Sequence, residues 1–324
     1  MRTIALEEHF WTPALSGPPA DGIVKMVGPQ LGEQLTDLGE GRIAQMDAAG
    51  IDVQVISHTT PGTQQLTGSE AVERAREAND MLAAAVRTHP SRFAGWATLP
   101  TGDPKAAADE LDRAVSELGF VGALVNSTFG TNGTFLDDPV YEPLLERFER
   151  LDVPLYLHPA APPPAIKEAL YDGFSPLVST LLSLGGWGWH AELGLHSLRM
   201  VLAGVFERHP GLRVVIGHGG EMLPFMMGRI DEFLIPERTG LSALPSEYFL
   251  RNFWVTTSAM TSLPPVLCAL QVFGVDRVLF SSDYPYTQIA PCRAVLDALP
   301  LSPADKAKVA GGNAAQLLGL DLDA

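Results

Sequence analysis

The sequence predicts an α/β fold, an eight-stranded β/α (TIM) barrel, on three observations. Eight short apolar, β-branched runs recur along the 324 residues. Helical patterns separate them, and the order strand, helix, strand favours a parallel sheet wrapped by helices. Most of the metal-capable side chains stand where those runs end, at Glu7-Glu8-His9, His58, Asn126, His158, His218 and Asp283. In such a barrel the strand C-termini converge on one mouth, where active sites are built. Residues far apart in the chain would then surround one point, and the pattern reads as a metal-dependent enzyme.

Taken in order, strands are expected near 3–8, 53–57, 93–98, 121–126, 154–158, 213–217, 253–257 and 278–282. Val53-Gln54-Val55-Ile56-Ser57 and Arg213-Val214-Val215-Ile216-Gly217 are typical short buried runs. Ser69 is a plausible N-cap for a helix over 70–88, and Asp103-Pro104 opens another to about Leu118. Asp138-Pro139 opens a third to about Leu151, and Glu192 to Glu207 is amphipathic. Two connections are long, residues 10–40 after the first strand and 159–191 after the fifth. Both leave the mouth side, where long ordered loops serve as lids or contact surfaces. Trp187-Gly188-Trp189 in the second has two readings, lining the pocket or packing on a partner subunit.

A barrel with insertions needs roughly 250 to 400 residues, so one domain over 1–324 is expected. With 46% hydrophobic residues the chain fills a large core, which excludes global disorder. A formal charge of −16 argues against nucleic acid or an anionic membrane as partner. A small anionic substrate is still compatible, because a metal ion and a nearby arginine would dominate locally. Cys268 and Cys292 are too few for a disulfide framework and suit a reducing cytosol. Neither a secretory signal nor a run of about 18 apolar residues is visible, so a cytoplasmic location is expected.

Glu7 and His9 are two apart on a strand, so both side chains leave one face. His158, after Val153-Pro154-Leu155-Tyr156-Leu157, adds a second imidazole, and Asp283, after Val278-Leu279-Phe280-Ser281-Ser282, a second carboxylate. Two neutral imidazoles and two carboxylates balance one divalent cation and leave room for water or substrate. Mixed nitrogen and oxygen ligation suits Zn²⁺ or Mn²⁺. Each of these residues alone has a bland reading, a solvated strand end or a satisfied core histidine. Three separate strand ends of one barrel outweigh it. His89-Pro90 and His209-Pro210 follow helices and belong to the opposite, stabilising face. His190 and His196 receive no assignment, and His58 is a pocket candidate only. His218 sits at the mouth in Gly217-His218-Gly219-Gly220-Glu221, with Glu221 near enough to hold one ring nitrogen and fix its tautomer. Arg229 lies two turns along the next helix, where spacing favours a surface pair with Asp231 or Glu232.

These residues resemble the amidohydrolase-related superfamily, in the branch that holds aminocarboxymuconate-semialdehyde decarboxylase and the hydroxybenzoate decarboxylases such as γ-resorcylate decarboxylase. The blocks that carry the resemblance span nearly the whole chain. They are Ala5-Leu6-Glu7-Glu8-His9-Phe10, Gly41 to Asp52, Leu155-Tyr156-Leu157-His158-Pro159, Gly204 to Pro210, Gly217 to Glu221, and Phe280-Ser281-Ser282-Asp283-Tyr284-Pro285. The resemblance implies a distorted barrel of the amidohydrolase type with one divalent metal ion, Zn²⁺ or Mn²⁺, on Glu7, His9, His158 and Asp283. It also implies His218 as catalytic histidine supported by Glu221, and Arg229 as the arginine that holds the substrate anion. Binuclear relatives carry His-x-His on strand one and a lysine ending strand four. Glu7 and Asn126 stand there instead, so a mononuclear site is implied.

The implied reaction is non-oxidative decarboxylation of an ortho-hydroxylated aromatic acid, with Asp283 or His218 as proton donor to the ring. Phe and Trp side chains of the long loops would bind the rest of the substrate. Two rivals stand beside it. A hydrolase or hydratase of a small cyclic or aromatic carboxylate would use the same ligands, because one fold hosts both chemistries. A non-catalytic scaffold would show gaps at the mouth, and every expected position is filled. A homo-oligomer, dimer or tetramer, is implied by the resemblance.

Overall fold

In the computed structural model, which describes residues 1–15, 28–129 and 133–321, the chain forms one parallel eight-stranded sheet in the order β1 to β8. The strands are Ile4–Phe10 (β1), Val53–His58 (β2), Phe93–Ala97 (β3), Gly122–Asn126 (β4), Leu155–His158 (β5), Val214–Ile216 (β6), Phe253–Thr256 (β7) and Val278–Leu279 (β8). All eight coincide with the runs read from sequence, within a few residues at their ends.

The alternation of side chains along each strand builds two cores. One set fills the barrel: Ile4 and Leu6, Val53 and Val55, Trp96, Leu124, Tyr156, Val215 and Leu279. The other set, including Ala5, Ile56, Val125, Leu157, Ile216, Val255 and Val278, faces the surrounding helices. Ala314, Ala315, Leu317 and Leu318 of the C-terminal helix Asn313–Leu318 join the interior set. The interior is therefore filled by a helix as well as by strand residues.

The helices correct several boundaries. Pro29–Thr36 (α1) and Glu40–Ala49 (α2) lie within or just after the first long connection, whose residues 16–27 fall outside the described ones. The helix expected behind Ser69 is Gly68–Thr88 (α3), with Thr67 at the N-cap position. Pro104–Ser116 (α4) begins as expected, its Asp103 carboxylate accepting from the main-chain N–H groups of Lys105 and Ala106. After Asp138 the chain makes a 3₁₀ turn, Pro139–Tyr141, before Glu142–Leu151 (α5). The second long connection is largely helical, with Pro164–Leu170 (α6), Pro176–Ser183 (α7) and the start of Gly188–Leu202 (α8). The single amphipathic helix expected over 192–207 is thus two. Gly204, at φ 69°, ends it and leads into Val205–Arg208 (α9). Leu223–Phe233 (α10) follows β6.

Candidate metal and acid-base site

Glu7 and His9 reach the barrel mouth because β1 is irregular. Ile4 and Leu6 point inward, so strict alternation would send Glu8 inward and Glu7 out. A register shift between Ala5 and Glu8 in the β1–β2 pairing reverses that parity. Glu7 consequently accepts from Tyr156 Oη, which belongs to the interior set, and from Thr256 Oγ1 at 3.3 Å. Gly217 makes room for it, since a Cβ there would lie 2.6 Å from Glu7 Oε2. Glu8 turns to the helix layer instead and accepts from Ser281 Oγ, Ser282 Oγ and the N–H groups of Ser282 and Tyr284. Burial pushes its carboxyl up to about 7, against the pull of those donors and of His9.

The four expected ligands meet. His158 Nε2 lies 3.2 Å from Glu7 Oε1, and His9 Nε2 lies 3.2 Å from Asp283 Oδ1. Glu7, His9 and His158 together form one tight group of possible ligand atoms; Glu7, His218 and Asp283 form another around the same carboxylate. Asn126 Oδ1 accepts from His158 Nδ1 at 2.8 Å, which leaves the bare Nε2 of that ring toward Glu7. Ser57 Oγ lies 3.1 Å from His9 Nδ1 and plays the same part for the other imidazole. Burial lowers the His158 pKa in spite of Glu7, so its ring is neutral and offers a lone pair to a carboxylate oxygen. Two acceptors 3.2 Å apart repel unless a cation lies between them. Ligands each about 2.1 Å from one ion and roughly 90–110° apart are separated by about 3.0–3.4 Å. Glu7 Oε1 and His9 Nε2 are also buried without a hydrogen-bond partner. The residues fit a divalent metal ion.

The second half of the site is acid-base machinery. His218 Nδ1 meets Glu221 Oε1 at 2.7 Å, as its spacing predicts, while Nε2 faces Glu7 Oε1 at 3.8 Å and Asp283 Oδ2 at 3.9 Å. Burial opposes charge on His218, but Glu7, Glu221 and Asp283 outweigh it and raise its pKa well above 6.5. The carboxyls respond in kind. Burial would raise Glu7, yet the charge on His218 holds it far below the usual range. Asp283 and Glu221 are lowered too, His218 again prevailing over burial. His218, Glu221, Met222 and Asp283 all have positive φ, between 48° and 66°. Non-glycine residues hold that conformation only where their surroundings enforce it, and such strain clusters at functional sites.

Five further placements differ from, or add to, the sequence reading. His58 is not a pocket residue: Thr12 N–H donates to its Nε2 at 3.1 Å and its Nδ1 meets Thr59 O at 2.9 Å, so both nitrogens serve the fold. Arg229 does not reach the site within its own chain. It is 57% exposed, pairs with Glu232 at 2.8 Å and lies over the Phe233 ring, as spacing alone favours. Of the two tryptophans, Trp187 is exposed and Trp189 lies 6.4 Å from the His158 ring. His190, unassigned from sequence, is at the site, with Nδ1 2.7 Å from Glu221 Oε2. His196 is structural, bonded to Ser127 and to the Leu136 N–H. Beside His190 and His218 a cavity of about 370 Å³ opens, walled by Met222, Pro224, Phe225 and Met260. That size suits a single aromatic ring with substituents.

The amidohydrolase family model matches residues 8–320. The chain is 37% identical to γ-resorcylate decarboxylase of Rhizobium sp. (strain MTP-10005), covering 98% of each chain. Among solved structures it is similar to 2,6-dihydroxybenzoate decarboxylase complexed with 2,6-dihydroxybenzoate, with TM-score 0.92, 37% identity and coverage of 99% and 100%. It is equally similar, at TM-score 0.92 and 37% identity over 98% and 97%, to dihydroxybenzoic acid decarboxylase of Polaromonas sp. JS666 with manganese and the inhibitor 2-nitroresorcinol. On fold, site and sequence together, the chain belongs to the amidohydrolase family, in the company of its hydroxybenzoate decarboxylases.

Proposed function

We propose that this protein is a metal-dependent, non-oxidative decarboxylase of an ortho-hydroxylated aromatic carboxylic acid. The observation that carries the reading is full-length similarity to γ-resorcylate and 2,6-dihydroxybenzoate decarboxylases in a chain whose strand ends supply a complete donor set. Glu7, His9, His158 and Asp283 are the ligands proposed for one divalent ion, with manganese, found in a relative, the first candidate and zinc the second. When bound, the ion supplies the positive charge that draws in the carboxylate and the neighbouring phenolic oxygen as a pair and steadies charge on them.

The chain's own groups perform the proton work. Glu221 accepts from His218 Nδ1 and keeps the ring oriented, so the Nε2–H faces the space beside Glu7 and Asp283. From there His218 delivers its proton to the ring carbon that bears the carboxylate. Aromaticity is lost in that step. The carbon–carbon bond then breaks, its electron pair stays with the ring, and carbon dioxide leaves as aromaticity returns. Asp283, lowered in pKa, stays ionised beside His218 and stabilises the imidazolium before transfer. Trp189 supplies an aromatic face near His158. With Arg229 on the surface, protonated His218 is the cationic side chain proposed to face the substrate anion.

Purified enzyme loaded with Mn²⁺ tests this on hydroxybenzoates beside lactones and amides, with carbon dioxide and product measured. Release of carbon dioxide from an ortho-hydroxybenzoate, abolished by a chelator and restored by metal, is expected. Turnover of lactones or amides alone would favour the hydrolase instead.

We also propose a homo-oligomer. Phe225, Met226 and Phe233 of α10 and Leu177, Val178, Leu181 and Trp187 around α7 are exposed apolar side chains of the kind subunit contacts cover. Light scattering on the 34.7 kDa chain would read the subunit number. No helix among the described residues is long and apolar enough to cross a membrane. A cytoplasmic location is kept as part of the proposal.

A further inference from the structure

The turn carrying His218 and Glu221 holds three strained residues, with φ 48° at His218, 52° at Glu221 and 66° at Met222. Something must enforce that conformation. Two contacts come from α8, a helix of the cap that follows β5. Gly194 packs so closely on the turn that a Cβ there would lie 2.7 Å from the Glu221 carbonyl oxygen. One turn earlier His190 reaches the Glu221 carboxylate, Nδ1 to Oε2 at 2.7 Å, while its Nε2 meets the Gly185 carbonyl oxygen at 3.0 Å. The His190 ring thus bridges two oxygen acceptors, with its Nδ1 on the Glu221 carboxylate. Glu221 therefore sits between two imidazoles, one on each oxygen, with His218 on Oε1.

We infer that His190 is a positioning residue for the reaction proposed above: it pins Glu221, and through Glu221 the plane and tautomer of the His218 ring. A carboxylate bonded to one imidazole alone rotates about its terminal torsion, which has a broad preference. Held by a donor on each oxygen, it has one orientation, and the His218 Nε2–H stays aimed at the substrate position. The cap helix is thereby tied to the acid-base group. A displacement of α8 moves Glu221, which is not one of the four proposed ligands. The inference rests on the decarboxylase reading only for its kinetic arm.

The test compares His190→Asn with His190→Gln. Asparagine places its amide N–H₂ near the position of Nδ1 and keeps a donor for Glu221. Glutamine reaches further, to the position of Nε2, and serves Gly185 instead. We expect His190→Gln to lower kcat about tenfold to a hundredfold, the range for residues that orient an active-site group, with KM within about threefold and bound metal unchanged. We expect His190→Asn to recover most of that kcat. Gly194→Ala, with His190 intact, should lower kcat in the same way. Independently of any substrate, ¹⁵N-histidine NMR should show a protected His218 Nδ1 proton in wild type and His190→Asn, and its loss in His190→Gln. Equal activity and an equal Nδ1 signal in the two variants would overturn the inference. So would matching losses in both that track a common fall in Tm, since His190 would then be merely structural. A wild type inactive on every hydroxybenzoate would defeat the functional reading, and the NMR arm would still decide this one.

Discussion

Glu8 on the first strand accepts from the main-chain N–H of Ser282, just past the last strand, at 2.9 Å, and from the Ser282 hydroxyl at 2.7 Å. Ladder pairing runs from β1 to β8 and stops there, so side chains bridge the seam where an eighth strand pair, β8 with β1, would stand. The Ser281 hydroxyl spans the same gap, accepting from Glu7 N–H at 2.7 Å and donating to Glu8 at 2.9 Å. Asp283 follows directly, and the His9 N–H donates to the Tyr284 carbonyl at 2.7 Å. Barrel closure and the placement of the proposed ligands Glu7, His9 and Asp283 are one hydrogen-bonded unit.

Replacing Glu8 with glutamine should expose that dependence. The amide presents N–H₂ where a carboxylate oxygen accepts, leaving buried donors of Ser282 or Tyr284 without a partner, at about 1–3 kcal/mol each. We expect a stability loss on the order of 3 kcal/mol at pH 8, read from urea unfolding midpoints, together with weaker metal retention because Asp283 loses its support.

Glu7→Ala and Asp283→Ala should each remove a charged donor from the proposed ion. Metal content after gel filtration should fall well below one equivalent, and carbon dioxide release should vanish. Stoichiometric metal in either variant would remove that residue from the ligand set. Asp283→Ala has a second effect, since it takes away a carboxylate that helps keep His218 protonated.

His218→Ala should separate binding from chemistry. The four proposed ligands are untouched, so metal content should match wild type, while kcat falls about 10²–10⁴-fold, the range for loss of a positioned proton donor. Near-normal kcat would assign proton transfer to Asp283.

Acid sensitivity should trace in part to His58. Burial lowers its pKa from 6.5 to about 4, so the folded ring stays neutral where the unfolded one takes up a proton. The unfolded state then binds more protons between about pH 6.5 and pH 4, and stability falls as pH drops through that window, by on the order of 3 kcal/mol in total. His58→Gln should flatten this part of the profile. Unfolding free energies of wild type and variant at pH 7.5 and pH 4.5 provide the difference.

Much of this was legible in the chain alone, for physical reasons that also mark the boundary. Parallel strands buried on both faces leave short β-branched runs, and the mouth residues follow each run at once, so the eight strands and the Glu7, His9, His158, Asp283 group could be read together. The inward turn of Glu7 could not be derived from alternation, because a β-bulge set its parity. His190 could not be assigned from sequence, since it lies on a helix inserted after β5 and meets Glu221 only in space. The Gly188 start of that helix, hidden behind Trp187 and a run of glycines, would have been the clue. Arg229 shows the converse: its i, i+3 spacing to Glu232 reads correctly as a surface pair, and the role implied by resemblance is not met within one chain.

The most direct test of the account is to run the reaction on an ortho-hydroxybenzoate in D₂O with the manganese-loaded enzyme. Proton delivery to the ring followed by carbon–carbon cleavage predicts one deuterium at the vacated carbon for each carbon dioxide released. A product that has gained the elements of water, with no carbon dioxide and no deuterium at that carbon, would contradict it.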